Sequence, residues 1–237
     1  MTHPITTIGF DADDTLWHNE NLFEEHHKKY CALLSEFHDA RTVEKTLYKT
    51  EMRNLECYGY GIKSFTLSSI ETAITLTDGT IRSDELKRII DFGKEMLAHP
   101  VELLEGAAEV VEKLSQRYRL ILITKGDLRD QERKIAQSDL AHCFEHMEVV
   151  SDKNSGTYDR ILRRSKIDVT GFLMVGNSLK SDILPILDLG GHAIHIPYHT
   201  TWEHERVEEM PDGNQRFHEI ESIKQLPDLL SRLQERP

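Results

Sequence analysis

The chain has 237 residues, 38% of them hydrophobic, and a formal net charge of −12. That acidic balance argues against nucleic acid or an anionic membrane as a partner, since both call for basic patches, and no apolar stretch approaches the roughly 20 residues needed to span a bilayer. Cys31, Cys57 and Cys143 are odd in number and far apart, and without a CxxC pair they suggest neither a zinc site nor a disulfide framework.

In chain order, residues 5–10 form an apolar run that predicts a buried strand. The preceding Met1-Thr2-His3-Pro4 has no basic run, so no secretory leader is read there and a cytoplasmic location is expected. The strand delivers Asp11 and Asp13, two apart and so on one face of an extended chain, to its carboxyl end. Such a pair can divide labour, one acid attacking or holding a metal and the other moving protons. With 41 acids in the chain, roughly seven acid-x-acid triplets are expected by chance. The pair therefore gains meaning only from its placement and from its company at later strand ends.

Between Thr15 and a helix starting near Glu105 lie about 90 residues with no clear strand, too many for a structureless loop. Helices are predicted over 21–37, 41–55, 67–76 and 83–98, with Ser83-Asp84-Glu85 as a helix start and Pro100 past its end. Residues 56–65, where Gly59 and Gly61 alternate with Tyr58 and Tyr60, read as a flexible turn presenting aromatic rings. A helical cap domain over 17–99, inserted into a core of 1–16 and 100–237, is expected from this pattern.

Beyond it, residues 105–117 place Ala107, Val110, Val111 and Leu114 on one helical face. Apolar runs at 120–124, 147–150, 172–175 and 193–196 read as buried strands, separated by helices over 128–136, 158–165 and 181–189. Gly190-Gly191 stops the last of these, and a helix over 226–233 with Pro227 in its first turn closes the chain. The alternation predicts an α/β fold, a doubly wound parallel-sheet core carrying the inserted cap. The 13 histidines, among them His26, His27, His192, His195 and His199, include no HExxH and read mostly as surface or strand positions.

In open α/β sheets, ligands bind beyond the carboxyl ends of the strands. Those ends carry Asp11, Asp13 and Thr15; then Thr124, Lys125 and Gly126; then Asp152 and Lys153; then Gly176, Asn177, Ser178 and, one turn on, Asp182. This ordered set resembles the haloacid dehalogenase (HAD) superfamily, in its C1-cap, phosphatase-like branch. The DxDxT motif matches Asp11-Ala12-Asp13-Asp14-Thr15, the Thr ending the next strand matches Thr124, the motif Lys matches Lys153, and GDSxxxD matches Gly176-Asn177-Ser178-Leu179-Lys180-Ser181-Asp182. Asn177 departs from the usual Asp, and Asp14 stands where Gly is frequent.

The resemblance implies a Mg²⁺-dependent phosphohydrolase working through an aspartyl-phosphate on a small phosphorylated metabolite. It implies that Asp11 attacks phosphorus, that Asp13 serves as acid and then base, that Thr124 donates a hydrogen bond to the phosphoryl group, and that Lys153 holds it by charge. A phosphate ester calls for a cation that neutralises it, and Mg²⁺ takes oxygen ligands. Asp11, the backbone carbonyl of Asp13, and Asn177 or Asp182 can supply them. Asp14 reads as a turn residue and Thr15 as a brace of the loop. Candidates for substrate contact are Thr124, Lys125, Gly126 and Lys153, with Trp17, His18, Tyr58, Tyr60 and Lys63 for the leaving group; cap packing is the competing reading of the aromatics. Residues 197–202 read either as a cleft rim or as a surface loop. A monomer and a homodimer are both compatible with the sequence. The alternatives are a 2-haloacid dehalogenase, whose halide needs neither proton nor metal and whose family members typically lack the second Asp, a phosphomutase, and a non-catalytic protein that keeps the fold.

Overall fold

Six strands lie in one all-parallel sheet in the computed structural model, which describes residues 4–200, 202–205, 207, 210–211 and 213–234. They are β1 (Thr7–Phe10), β2 (Arg119–Lys125), β3 (His146–Val150), β4 (Phe172–Gly176), β5 (His192–His195) and β6 (Phe217–Glu219), in the spatial order β3-β2-β1-β4-β5-β6. Met1, Thr2 and His3, and Thr201 within the 197–202 segment, lie outside the described residues. Register is set by pairs such as Ile8 with Leu120 on one side of β1 and with Leu173 on the other. The chain winds outward in both directions from β1, so the switch point, where ligands bind in such sheets, falls between β1 and β4.

Alternation along the strands sends side chains to two separate cores. Ile8 and Phe10 of β1, Leu120 and Leu122 of β2, and Leu173 and Val175 of β4 pack on one face with α5 (Ala107–Ser115) and α9 (Leu226–Gln234). Ile121, Ile123, Phe172 and Met174 pack on the other with Tyr158, Ile161 and Leu162 of α7 (Ser155–Arg164). A doubly wound sheet requires this division, because helices must cover both faces.

The chain divides into two compact units, Met1–Glu20, Val101–Lys125 and Arg133–Pro237 in one, and Asn21–Pro100 with Gly126–Glu132 in the other. The second unit holds α1 (Glu20–Leu33, bar its first residue), α2 (Ala40–Tyr58), α3 (Ile62–Leu76) and α4 (Ser83–Ala98), packed around a core of their own that includes Tyr30, Leu47, Phe65 and Ile89. The unit boundary runs through α6 (Leu128–Gln137). No helix among the described residues is long and apolar enough to cross a membrane.

The structure corrects several sequence expectations. The interruption predicted over 56–65 shrinks to Gly59–Gly61, because α2 continues to Tyr58 and α3 starts at Ile62. The sharp break is carried by Gly59 and Gly61 at φ of 69° and 113°, which side chains resist. The helix expected over 181–189 begins instead as a wide π turn at Leu179–Ile183 and becomes α8 only at Leu184–Leu189. β6 went unpredicted. His26, read as a surface position, is buried in the helical unit against Phe65 and Phe92.

Gly9 in β1 gives a test of the second core. A Cβ there would stand 2.5 Å from the Phe172 ring and 3.1 Å from the Met174 sulfur, and Phe172 is itself fully buried. Gly9→Ala should therefore cost about 1–3 kcal/mol of stability by overpacking, read as a lowered urea midpoint. An unchanged midpoint would mean that this core has room to give.

Candidate active site

Asp11 follows β1 directly, with its backbone N–H donating to Val175 of β4 at 2.9 Å. Its side chain is buried, and each carboxylate oxygen has a donor. Thr15 gives Oδ2 a hydrogen bond of 2.8 Å, and the Lys153 ammonium pairs with Oδ1. Lys153, just past β3, is buried too and also donates to Asp182 Oδ1 at 2.7 Å. Two buried carboxylates thus share one cation. Burial works against the Lys153 charge, but Asp11 and Asp182 outweigh it and hold the ammonium above its ordinary pKa.

Asp182 reaches this cluster because of the wide turn after β4. Its Oδ2 accepts the Ser178 backbone N–H at 3.0 Å, and the Tyr158 hydroxyl donates to the Ser181 carbonyl at 3.1 Å. Gly176 makes the seat possible, since a Cβ there would lie 2.3 Å from Asp182 Oδ2. Asn177 sits beside Asp11, and its Oδ1 is 3.4 Å from the Thr15 hydroxyl. His195 at the end of β5 reaches the Asn177 carbonyl with Nε2 at 3.0 Å and Glu219 of β6 with Nδ1 at 2.8 Å.

Asp13 is held differently. Trp17 Nε1 donates to its Oδ1 at 2.7 Å, and Lys134 of α6 donates to the same oxygen at 2.9 Å. Between them Asp14 takes φ of 60° and accepts the backbone N–H groups of Asn19 at 2.9 Å and Glu20 at 3.0 Å. Asp14 is a turn-forming residue here, in the left-handed region that Asp tolerates better than most.

The remaining predicted residues separate. Thr124 is buried at the end of β2. Lys125 pairs with Glu205 and donates to Ser181 at 2.9 Å, so its ammonium is engaged in the fold. Glu205 also accepts from Ser178 at 2.5 Å and Ser181 at 2.6 Å. Burial opposes its charge, yet Lys125 and these donors pull it down to about 2. Trp17 is 1% exposed, which makes it a support of Asp13 rather than a surface for a leaving group. Tyr58, Lys63 and Gly126 belong to the helical unit, where Tyr58 is exposed and Lys63 pairs with Asp127 at 2.8 Å. Lys134, Glu205 and His195 were missed by sequence reasoning. Lys134 and Glu205 belong to no motif, and a charged residue on a helix reads as solvent-facing.

The donors gathered at the switch point fit a hard divalent cation. Asp11, Asp182, the Asn177 amide oxygen and the Asp13 carbonyl are all oxygen donors, as Mg²⁺ prefers. Two buried acids against one lysine leave surplus negative charge for a cation to offset. Among the described residues, no three His, Cys, Asp or Glu side chains converge on a metal position by themselves. The cation would therefore draw on the amide, the main-chain oxygen and retained waters.

The surplus charge has a measurable consequence. Burial lifts the Asp11 carboxyl from 3.8 to about 7, with the charge of Asp182 adding to the rise and Lys153 opposing it. Between about pH 4 and pH 7 the folded protein then holds a proton that the unfolded chain has lost, so stability falls as pH rises through that window. Asp11→Asn leaves Lys153 paired with Asp182 alone. In chelator, the variant should lose less stability than the wild type between pH 4 and pH 8 and so show the flatter dependence. Urea titrations across that range decide it, and equal slopes in the two proteins would refute the raised Asp11 carboxyl.

A family model described as a haloacid dehalogenase-like hydrolase matches residues 5–190. A haloacid dehalogenase-like family hydrolase from Xanthomonas campestris is 39% identical, with a TM-score of 0.87 over 97% of this chain and 92% of that one. A 2-haloacid dehalogenase from Pseudomonas syringae pv. Tomato DC3000 is 22% identical, with a TM-score of 0.63 over 97% of this chain and 99% of that one. A predicted phosphoglycolate phosphatase from Haemophilus somnus 129pt is 14% identical, with a TM-score of 0.60 over 95% of this chain and 97% of that one. The last two share the fold, and since one is named a dehalogenase and the other a phosphatase, the fold does not choose between the chemistries. No curated protein matches the sequence. With the family model spanning most of the chain and four motif segments at successive strand ends, this protein belongs to the haloacid dehalogenase-like hydrolases.

Proposed function

We propose that the protein is a Mg²⁺-dependent phosphohydrolase that removes phosphate from a small phosphorylated metabolite through an aspartyl-phosphate on Asp11. The observation that carries this reading is a second carboxylate, Asp13, held by its own pair of donors beside the buried Asp11–Lys153 pair. An alkoxide leaving group needs a proton, whereas a halide does not, so an acid at this position is of use to a phosphatase and idle in a 2-haloacid dehalogenase.

In this mechanism Asp11, fixed by Thr15 and Lys153, attacks phosphorus. Asp13 protonates the leaving oxygen and later takes a proton from the water that releases the phosphate. Thr124 donates to the phosphoryl oxygens, and the Lys153 ammonium remains against the developing charge. Bound Mg²⁺ supplies neutralisation of the ester and alignment of the reacting groups, held by Asp11, the Asp13 carbonyl and Asn177 or Asp182. Against a net charge of −12, such local cations can reverse the field that an anionic substrate meets. A cytoplasmic setting fits the metabolite substrate.

Asp11→Asn should abolish hydrolysis of an aryl phosphate, and full retained activity would remove the nucleophile assignment. EDTA should silence the wild type, with Mg²⁺ restoring it. Asn177→Asp should stay active at a lower Mg²⁺ requirement; an unchanged metal titration would exclude Asn177 from coordination. Halide release from a 2-haloacid that survives EDTA would favour the dehalogenase instead.

A further inference from the structure

We infer that Lys134 is a positioning residue for the reaction, one that fixes which oxygen of Asp13 carries the transferable proton. The inference rests on the acid and base role proposed for Asp13.

Lys134 is 5% exposed, and a lysine is almost never buried unless it is paired. Its Nζ donates to Asp13 Oδ1 at 2.9 Å and to Asn19 Oδ1 at 2.7 Å, which anchors the ammonium on two sides. Trp17 Nε1 donates to the same Asp13 oxygen at 2.7 Å. The indole cannot swing away, because it is 1% exposed and its backbone bridges both Asp13 and Leu103. Ammonium and indole N–H are donors only. A carboxyl oxygen that accepts from both has its lone pairs engaged and cannot also carry a proton without breaking one of these bonds.

The proton of the acid form is therefore confined to Oδ2. In the first step an Asp11 carboxylate oxygen bonds to phosphorus as the bond from phosphorus to the leaving oxygen breaks, that bond's electron pair goes to the leaving oxygen, and the Asp13 proton passes to it from Oδ2. In the second step Oδ2 takes a proton from the attacking water as that water displaces Asp11 from phosphorus, which restores the acid. Lys153 pairs with Asp11 in the same structure, so Asp11 and Asp13 are held by different lysines.

A role confined to orienting Asp13 predicts a dependence on the leaving group. The experiment compares kcat/KM, which reports the steps through departure of the leaving group, for phenyl phosphate and 2,4-dinitrophenyl phosphate in Mg²⁺. Dinitrophenolate leaves as a stable anion and has little use for a proton, whereas phenolate needs one. Lys134→Met should lower kcat/KM on phenyl phosphate by about tenfold or more, and on 2,4-dinitrophenyl phosphate by less than about threefold. Lys134→Arg, which keeps a donor, should recover much of the loss. Thermal melts establish that each variant is folded. Should Lys134→Met not fold, Trp17→Phe removes the other donor from Oδ1 with little change of shape and should show the same substrate selectivity to a smaller degree. Equal loss on both substrates, or no loss on either, overturns the inference. Asp13→Asn separates the levels of failure. If it is selective for phenyl phosphate and the Lys134 variants are not, only the Lys134 assignment falls. If Asp13→Asn itself is unselective, the acid role falls and the inference with it.

Discussion

Lys153 holds together groups that would otherwise repel. Asp11 arrives from β1 and Asp182 from the turn after β4, and both carboxylates are buried. Removing a charge from water costs several kcal/mol unless a partner offsets it, and a carboxylate pair in one pocket compounds the cost. The lysine ammonium meets both at hydrogen-bonding distance and so ties the end of β3 to the ends of β1 and β4. A cluster of this kind adds little net stability compared with apolar side chains of the same volume, and the function proposed above gives it a chemical use. Under that proposal Asp11 is held in place with its counter-charge already beside it.

The sheet order explains why these groups meet. Winding outward from β1 in both directions puts β1 and β4 side by side, with β2 and β3 beyond, so the residues after all of these strands open toward the same edge. The small residues matter at close approaches. Gly176 admits the Asp182 carboxylate, and Gly9 admits the Phe172 ring. Further on, Glu205 joins Lys125 at the end of β2 to Ser178 and Ser181 after β4, so two of the strand-end segments are fastened by a residue late in the chain.

How much of this was legible in the sequence depended on whether local pattern or distant geometry decided the outcome. β1, β2 and β4 are buried on both faces, so their near-continuous apolar runs stand out. β6 is a three-residue edge strand, Phe217–Glu219, with two polar residues, and short edges carry no such run. Predicted strand ends supplied the candidates, and the motif resemblance singled out Asp11, Thr124, Lys153 and Asp182 among them. Lys134 and Glu205 could not, because nothing in the sequence marks which charged residue on a surface-like stretch will be drawn inward. The same limit misplaced Trp17, whose aromatic ring suggested a binding surface while its N–H was committed to Asp13.

The tight seat of Asp182 has a consequence for how this site can change. Gly176 and Asp182 occupy nearly the same small volume, since the nearest carboxylate oxygen would overlap any Cβ at 176. The two positions are therefore not independent variables. A larger residue at 176 first requires the acid at 182 to shrink or move, and losing that acid leaves Lys153 with a single carboxylate partner. The energies of the two substitutions would not add, and any sequence path away from this arrangement has to pass through position 182 before position 176.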